Sequence, residues 1–136
     1  VTTNEADYER LPAAEKAKLT PCFIPGNYMP TGPMRIEAYR LLAEPHNQKE
    51  IRELRKQWKD RFGEPPIEVE NLLTMVGIRV AATHALVTIV EVKGDKLMLT
   101  RGQDYVQIKG KFPRLMETEG PKKLREILEF LKEGVI

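Results

Sequence analysis

The sequence predicts an α+β domain: three N-terminal helices, a small antiparallel β-meander and a C-terminal helix. Three observations carry that expectation. Apolar residues recur at helical spacing through residues 33–84, so the first half reads as helices. After His84 the period drops from about 3.6 to about 2, the alternation of half-buried strands. From Pro121 the helical period returns, with Leu124, Ile127, Leu128 and Leu131 in one stripe and Gly134 near its end. Helices segregated from a run of hairpin-connected strands form the α+β pattern.

A chain of 136 residues suits one domain with a modest core. Its 22 basic and 20 acidic residues nearly cancel, which argues against tight nucleic-acid binding by the segment as a whole. The single Cys22 excludes an internal disulfide and a multi-cysteine zinc site, and it fits a reducing compartment. Neither a signal peptide nor a run of 18 apolar residues is present, so a cytoplasmic location without membrane contact is expected. Val1 stands where a whole chain would start with Met, so a fragment of a longer protein is expected. Residues 1–18 are polar and carry no strong period. They read as a linker or the remnant of a preceding domain, with room for one loose helical turn, and residues 19–136 as the domain proper.

Taken in order, residues 19–24 are apolar but interrupted by Pro21, and Pro25, Pro30 and Pro33 follow. That density of proline predicts an extended, edge-like arm, with Cys22 a small apolar residue within it. Thr31 and Pro33 open the first helix, which ends near Pro45. Met34, Ile36, Ala38, Tyr39, Leu41, Leu42 and Ala43 cover much of its circumference, so packing on more than one side is expected; Arg35 and Arg40 mark the polar remainder.

The second helix organises the chain. Asn47 is its N-cap, and Glu50 completes an approximate capping box. Ile51, Leu54, Trp58 and Phe62 form one apolar stripe on an otherwise charged helix. Gly63 supplies a residue able to take positive φ, and Pro65-Pro66 forbids continuation. A third helix runs from Pro66 to about His84, with Glu68 and Glu70 in its favourable first turn and Val69, Leu72, Leu73, Val76 and Val80 as its buried stripe. Gly77 mid-helix costs about 1 kcal/mol relative to Ala and points to close packing or a local irregularity.

Strands are expected at residues 86–93, 96–101 and 105–109. Gly94-Asp95 between the first two fits a two-residue turn with glycine first. Residues 111–119 connect to the last helix.

Candidate chemistry is sparse. There is no phosphate-binding glycine-lysine loop and no dinucleotide fingerprint. His46 and His84 lie far apart, and neither has a cysteine or carboxylate at ligand spacing, so no metal site is expected. Cys22 has no neighbour that would activate a thiol. No catalytic or cofactor-binding residue is nominated. Arg52, Arg55, Lys56, Lys59 and Arg61 form a basic run, read either as a solvated face interleaved with Glu50, Glu53 and Asp60 or as a surface for phosphates. Asp60 is the polar residue that local physics does not explain. It sits in the last turn of its helix, where the macrodipole disfavours an acid. Either an internal partner such as Arg79 compensates it, or it is exposed to meet a basic partner.

Several ordered segments carry a family resemblance. Phe23-Ile24-Pro25 with Tyr28 and Pro30, Arg35-Ile36 with Tyr39-Arg40 and Leu42-Ala43, and Asp60-Arg61-Phe62-Gly63 with Pro66 and Leu72-Leu73 resemble the C-terminal domain of bacterial transcription-repair coupling factors (Mfd). The match runs from about Leu19 to Ala82. Family members often place a further helix between two β-hairpins, whereas residues 102–115 leave little room for one.

The resemblance implies a parent that is an ATP- and Mg-dependent double-stranded DNA translocase. Such a parent dislodges RNA polymerase stalled at lesions and recruits the excision-repair protein UvrA, and its motor motifs lie outside this segment. It also implies a non-catalytic, autoinhibitory role for this domain, docked on a UvrB-like module of the same polypeptide and masking the UvrA-binding surface. In the family, acidic residues at the end of the second helix contribute to docking. Asp60 matches one such position; the other, a turn earlier, is Gln57 here, so Glu53 or Glu64 could substitute, with Arg61 alongside. The alternative is an accessory nucleic-acid-binding domain contacting phosphates through Arg52, Arg55, Lys56 and Lys59. In isolation the domain is expected to be a monomer.

Overall fold

A computed structural model describes residues 4–16 and 19–133. Gly134, expected near the end of the last helix, lies outside the described residues, as do residues 1–3 and 17–18 of the polar N-terminal segment. The chain is α+β and divides into two compact units, Val1–Gly77 and Ile78–Ile136.

The first unit is helical. It contains α1 (Glu5–Glu9), α2 (Ala13–Lys16), α3 (Gly32–Leu42), α4 (Gln48–Phe62) and the first half of α5 (Ile67–His84). The two short helices α1 and α2 add to the three expected, and the Glu5 carboxylate accepts the Gly26 N–H at 3.2 Å. Residues 19–30 form no helix, but they are not an edge: Cys22, Phe23, Ile24 and Met29 are almost fully buried. A chain without a ladder must satisfy its main-chain groups otherwise. Ile24 N–H donates to Tyr39 Oη at 2.8 Å, Arg35 Nη1 donates to the Met29 carbonyl at 2.7 Å, and the buried Asn71 Nδ2 donates to the Pro21 carbonyl at 3.0 Å. Side chains from helices thus hold the arm inside the unit.

The expectation that α3 packs on more than one side is corrected. Ala38 and Leu42 are its buried residues, whereas Ile36 is 72% exposed and Tyr39 40%. Tyr39 spends its apolar ring near the surface because its hydroxyl reaches the arm. In α5 all five residues of the expected stripe are buried. Gly77 is buried, and its carbonyl accepts a second bond from Gln48 Nε2 at 2.9 Å, close packing of the kind its position suggested.

The second unit holds the end of α5, the strands β1 (Ile89–Lys93), β2 (Lys96–Arg101) and β3 (Asp104–Tyr105), and α6 (Gly120–Lys132). The antiparallel order is β1-β2-β3. Two expected strands shrink for local reasons. Residues 86–88 do not join β1, because Leu86 at φ 61° closes α5: its N–H bonds the Thr83 carbonyl, and Val87 N–H bonds the Ala82 carbonyl at 2.8 Å. The third strand stops at Tyr105 because residues 108–111 turn back on themselves. Ile108 and Lys111 exchange N–H···O bonds around Lys109 at φ 53° and Gly110 at φ 76°, a pair of positive φ values that defines a type I′ turn. No helix lies between residues 102 and 119, as the short spacing predicts.

Alternation places Val90, Val92, Leu97 and Leu99 on one face of the sheet. Leu97 and Leu99 are fully buried in a cluster with Ala81, Ala82, Val106, Ile127 and Leu131.

Candidate docking surface on the second long helix

Helix α4 presents its charged face because its apolar stripe is committed to the core. Ile51, Leu54 and Trp58 are buried and Phe62 is half-buried, its ring tilted against the Tyr28 ring at 5.6 Å between centroids. Asn47 Oδ1 accepts the Glu50 N–H at 2.9 Å, as an N-cap does. The Glu50 carboxylate reaches back to the His46 N–H at 2.9 Å, one residue further than the box predicts. At the other end Gly63 takes φ 96°, and its N–H bonds the Lys59 carbonyl at 3.0 Å.

Charges on α4 fall into two groups. On one side Arg55 grips Glu70 through two 2.8 Å bonds and lies 3.8 Å from Glu64, while Lys59 pairs with Glu64 at 3.0 Å. The bidentate bond to Glu70 raises the Arg55 guanidinium above its ordinary pKa. Arg55 and Lys59, two of the four candidate phosphate contacts, are therefore already neutralised, and so is Glu64. Arg52 and Lys56 are exposed on the same helix.

On the other side Glu53, Gln57 and Asp60 recur at helical spacing and are all exposed. Glu53 lies 4.0 Å from Lys49, a weak contact. Among the described residues, nothing hydrogen-bonds or ion-pairs with the Asp60 carboxylate. Arg61 lies over the Phe62 ring at 4.8 Å rather than beside an acid.

Two grooves border this strip. A cavity of about 160 Å³ is lined by Leu41, Pro45 and Leu54 with Glu44, Glu50, Glu53 and Gln57. A second, of about 270 Å³, is lined by Met29, Met34, Trp58 and Phe62, with Glu37 and Arg61 among its walls. Glu50 is expected from the sequence only as a capping residue and part of the charge pattern of α4, and Glu44 is not among the residues that the sequence points to. The i,i+4 spacing of Arg40 and Glu44 was the only visible signal. Among the described residues no group of three His, Cys, Asp or Glu side chains is placed to hold a metal ion, and no helix is long and apolar enough to cross a membrane.

The fold and this surface define a small α+β module whose exposed features are charged and groove-like. A family model for the TRCF domain matches residues 19–109, and the chain belongs to that family. Similar proteins include the transcription-repair-coupling factors of Staphylococcus haemolyticus (strain JCSC1435), 33% identical over 75 residues, and Staphylococcus aureus (strain USA300), 32% identical over 72 residues. These alignments cover 55% and 53% of this chain but only 6% of each relative. A solved C-terminal domain of transcription-repair coupling factor shares the fold, with a TM-score of 0.61 at 21% identity over 85% of this chain and 91% of that one.

Proposed function

We propose that residues 19–136 are the non-catalytic, autoinhibitory C-terminal domain of a cytoplasmic, ATP-dependent DNA translocase that couples transcription to nucleotide-excision repair. Residues 1–18 lead into it from a preceding domain. The domain docks on a UvrB-like module of the same polypeptide and masks the surface that binds UvrA. The ATP and Mg chemistry, and the contacts to RNA polymerase and double-stranded DNA, belong to other parts of that polypeptide.

The observation that carries this reading is Asp60. An exposed carboxylate in the last turn of a helix costs a few tenths of a kcal/mol or more, and among the described residues none repays it. A basic side chain on a docking partner would. Glu53 and Gln57 extend the same strip toward a groove with three carboxylates on its walls, suited to a second cation with an aliphatic stem. Exposed ion pairs contribute about 0–1 kcal/mol each, which suits a contact that must open.

The experiment is UvrA capture by the full-length parent, with and without residues 19–136. Increased capture on truncation, reproduced by Asp60→Lys in the intact chain, supports masking. Unchanged capture by both folded proteins rejects it.

A further inference from the structure

We propose that the outer face of the β1-β2-β3 sheet is a platform for single-stranded nucleic acid, independent of the α4 surface. Register puts three rows of side chains on the face opposite the buried Leu97 and Leu99. One row is Ile89, Thr100 and Tyr105, running across all three strands. The next holds Glu91 and Met98. The last is Lys93 opposite Lys96, which is bridged in turn to Arg114.

Two features of these rows suit a ligand. Like charges directly opposite on neighbouring strands repel, and Lys93 and Lys96 are such a pair. Asp95 neutralises Arg114 at 2.6 Å, and Glu91 is the one acid within the rows, so the end of the sheet remains cationic. The nearby type I′ turn adds exposed Lys109 and Lys111. At the other end Ile89 is 49% and Tyr105 47% exposed, on the same face on either side of Thr100.

The aromatic geometry joins the two ends. Phe112 meets the Tyr105 ring edge-on at 5.3 Å, and the Lys96 ammonium lies 5.2 Å from the Phe112 centroid. Phe112 therefore spans the face from the aromatic row to the cationic row. An exposed ring braced by a second ring, with cations beside it, offers a base a stacking surface and its phosphates a counter-charge. Duplex DNA hides the faces of its bases and uses only the cations, so the exposed aromatic and aliphatic row favours a single strand.

Fluorescence anisotropy of the 136-residue chain with labelled oligo-thymidine, oligo-uridine and a duplex, each of about 20 nucleotides, tests the proposal. The expected result is single-strand binding that weakens from about 50 to about 200 mM salt. Tyr105→Ala should weaken it about five-fold or more, and Tyr105→Phe should retain it. Lys93→Gln with Lys96→Gln should flatten the salt slope, and Arg52→Gln with Lys56→Gln should change neither. A preference for the thymidine or uridine strand then separates DNA from RNA, and either supports the platform. Three results overturn it: no single-strand binding at the lower salt, duplex binding that is tighter and indifferent to Tyr105→Ala, or concentration-dependent self-association that Tyr105→Ala abolishes.

Discussion

The Tyr28 hydroxyl donates to the Gly63 carbonyl at 2.9 Å, tying the proline-rich arm to the residue that ends α4. Tyr28 is buried, so its hydroxyl gives up water for that bond, and burial pushes its pKa above the ordinary tyrosine value. Gly63 in turn holds φ 96° with open space where a Cβ would sit, so only the backbone conformation demands glycine there.

Tyr28→Phe should destabilise the chain by about 1 kcal/mol, because the exposed Gly63 can recruit water to its carbonyl in exchange. Gly63→Ala should cost about 1–2 kcal/mol through backbone strain alone. Urea unfolding of both variants checks the two values. Equal stability to the parent chain would show that the end of α4 does not depend on this contact.

Asp60→Lys should behave oppositely in two assays. Placing a cation in the last turn of α4 should stabilise the isolated chain by about 0.3–1 kcal/mol, read as a raised Tm at low salt. The same substitution should release UvrA masking in the full-length parent. A variant that is both less stable and less masked would mean that Asp60 acts through folding, not docking.

Arg55 and Glu70 are both about one-third exposed, so solvent screens their bidentate pair. Arg55→Lys should lose the fork and cost about 1 kcal/mol. A double-mutant cycle with Glu70→Gln should return a coupling energy of about 0.5–1 kcal/mol that shrinks with salt. Coupling that does not change with salt would assign the contact to packing.

Cys22 is fully buried, and burial pushes its thiol from 9.0 up to about 11. The unfolded chain therefore loses this proton first as pH rises. Stability attributable to Cys22 is intact below pH ~9 and declines between pH ~9 and ~11, by on the order of 2 kcal/mol. Cys22→Ala should remove that part of the alkaline slope, and the native thiol should resist a disulfide reagent at neutral pH. Rapid labelling under native conditions would contradict the burial.

Local signals proved sufficient wherever one element answers to its own period. The stripes of α4, α5 and α6, the Asn47 cap, the Gly63 stop and the Gly94 turn at φ 63° all follow from spacing and backbone preference. The ends of strands were less legible. Leu86 adopts a left-handed conformation that a leucine does not advertise, and Lys109, the last residue of an expected strand, opens a turn with Gly110 instead.

Periodicity thus sufficed for the α+β class and for the charged character of α4, because burying one face of a helix leaves no freedom about the other. Which charges on that helix remain available was decided by tertiary structure. Glu64 and Glu70 approach Arg55 and Lys59 only after the chain reverses at Gly63, whereas Asp60 has no partner among the described residues. The exposed row of Ile89 and Tyr105 has the same origin. Residues distant in sequence share a sheet face only through pairing register, and register is a property of the folded sheet.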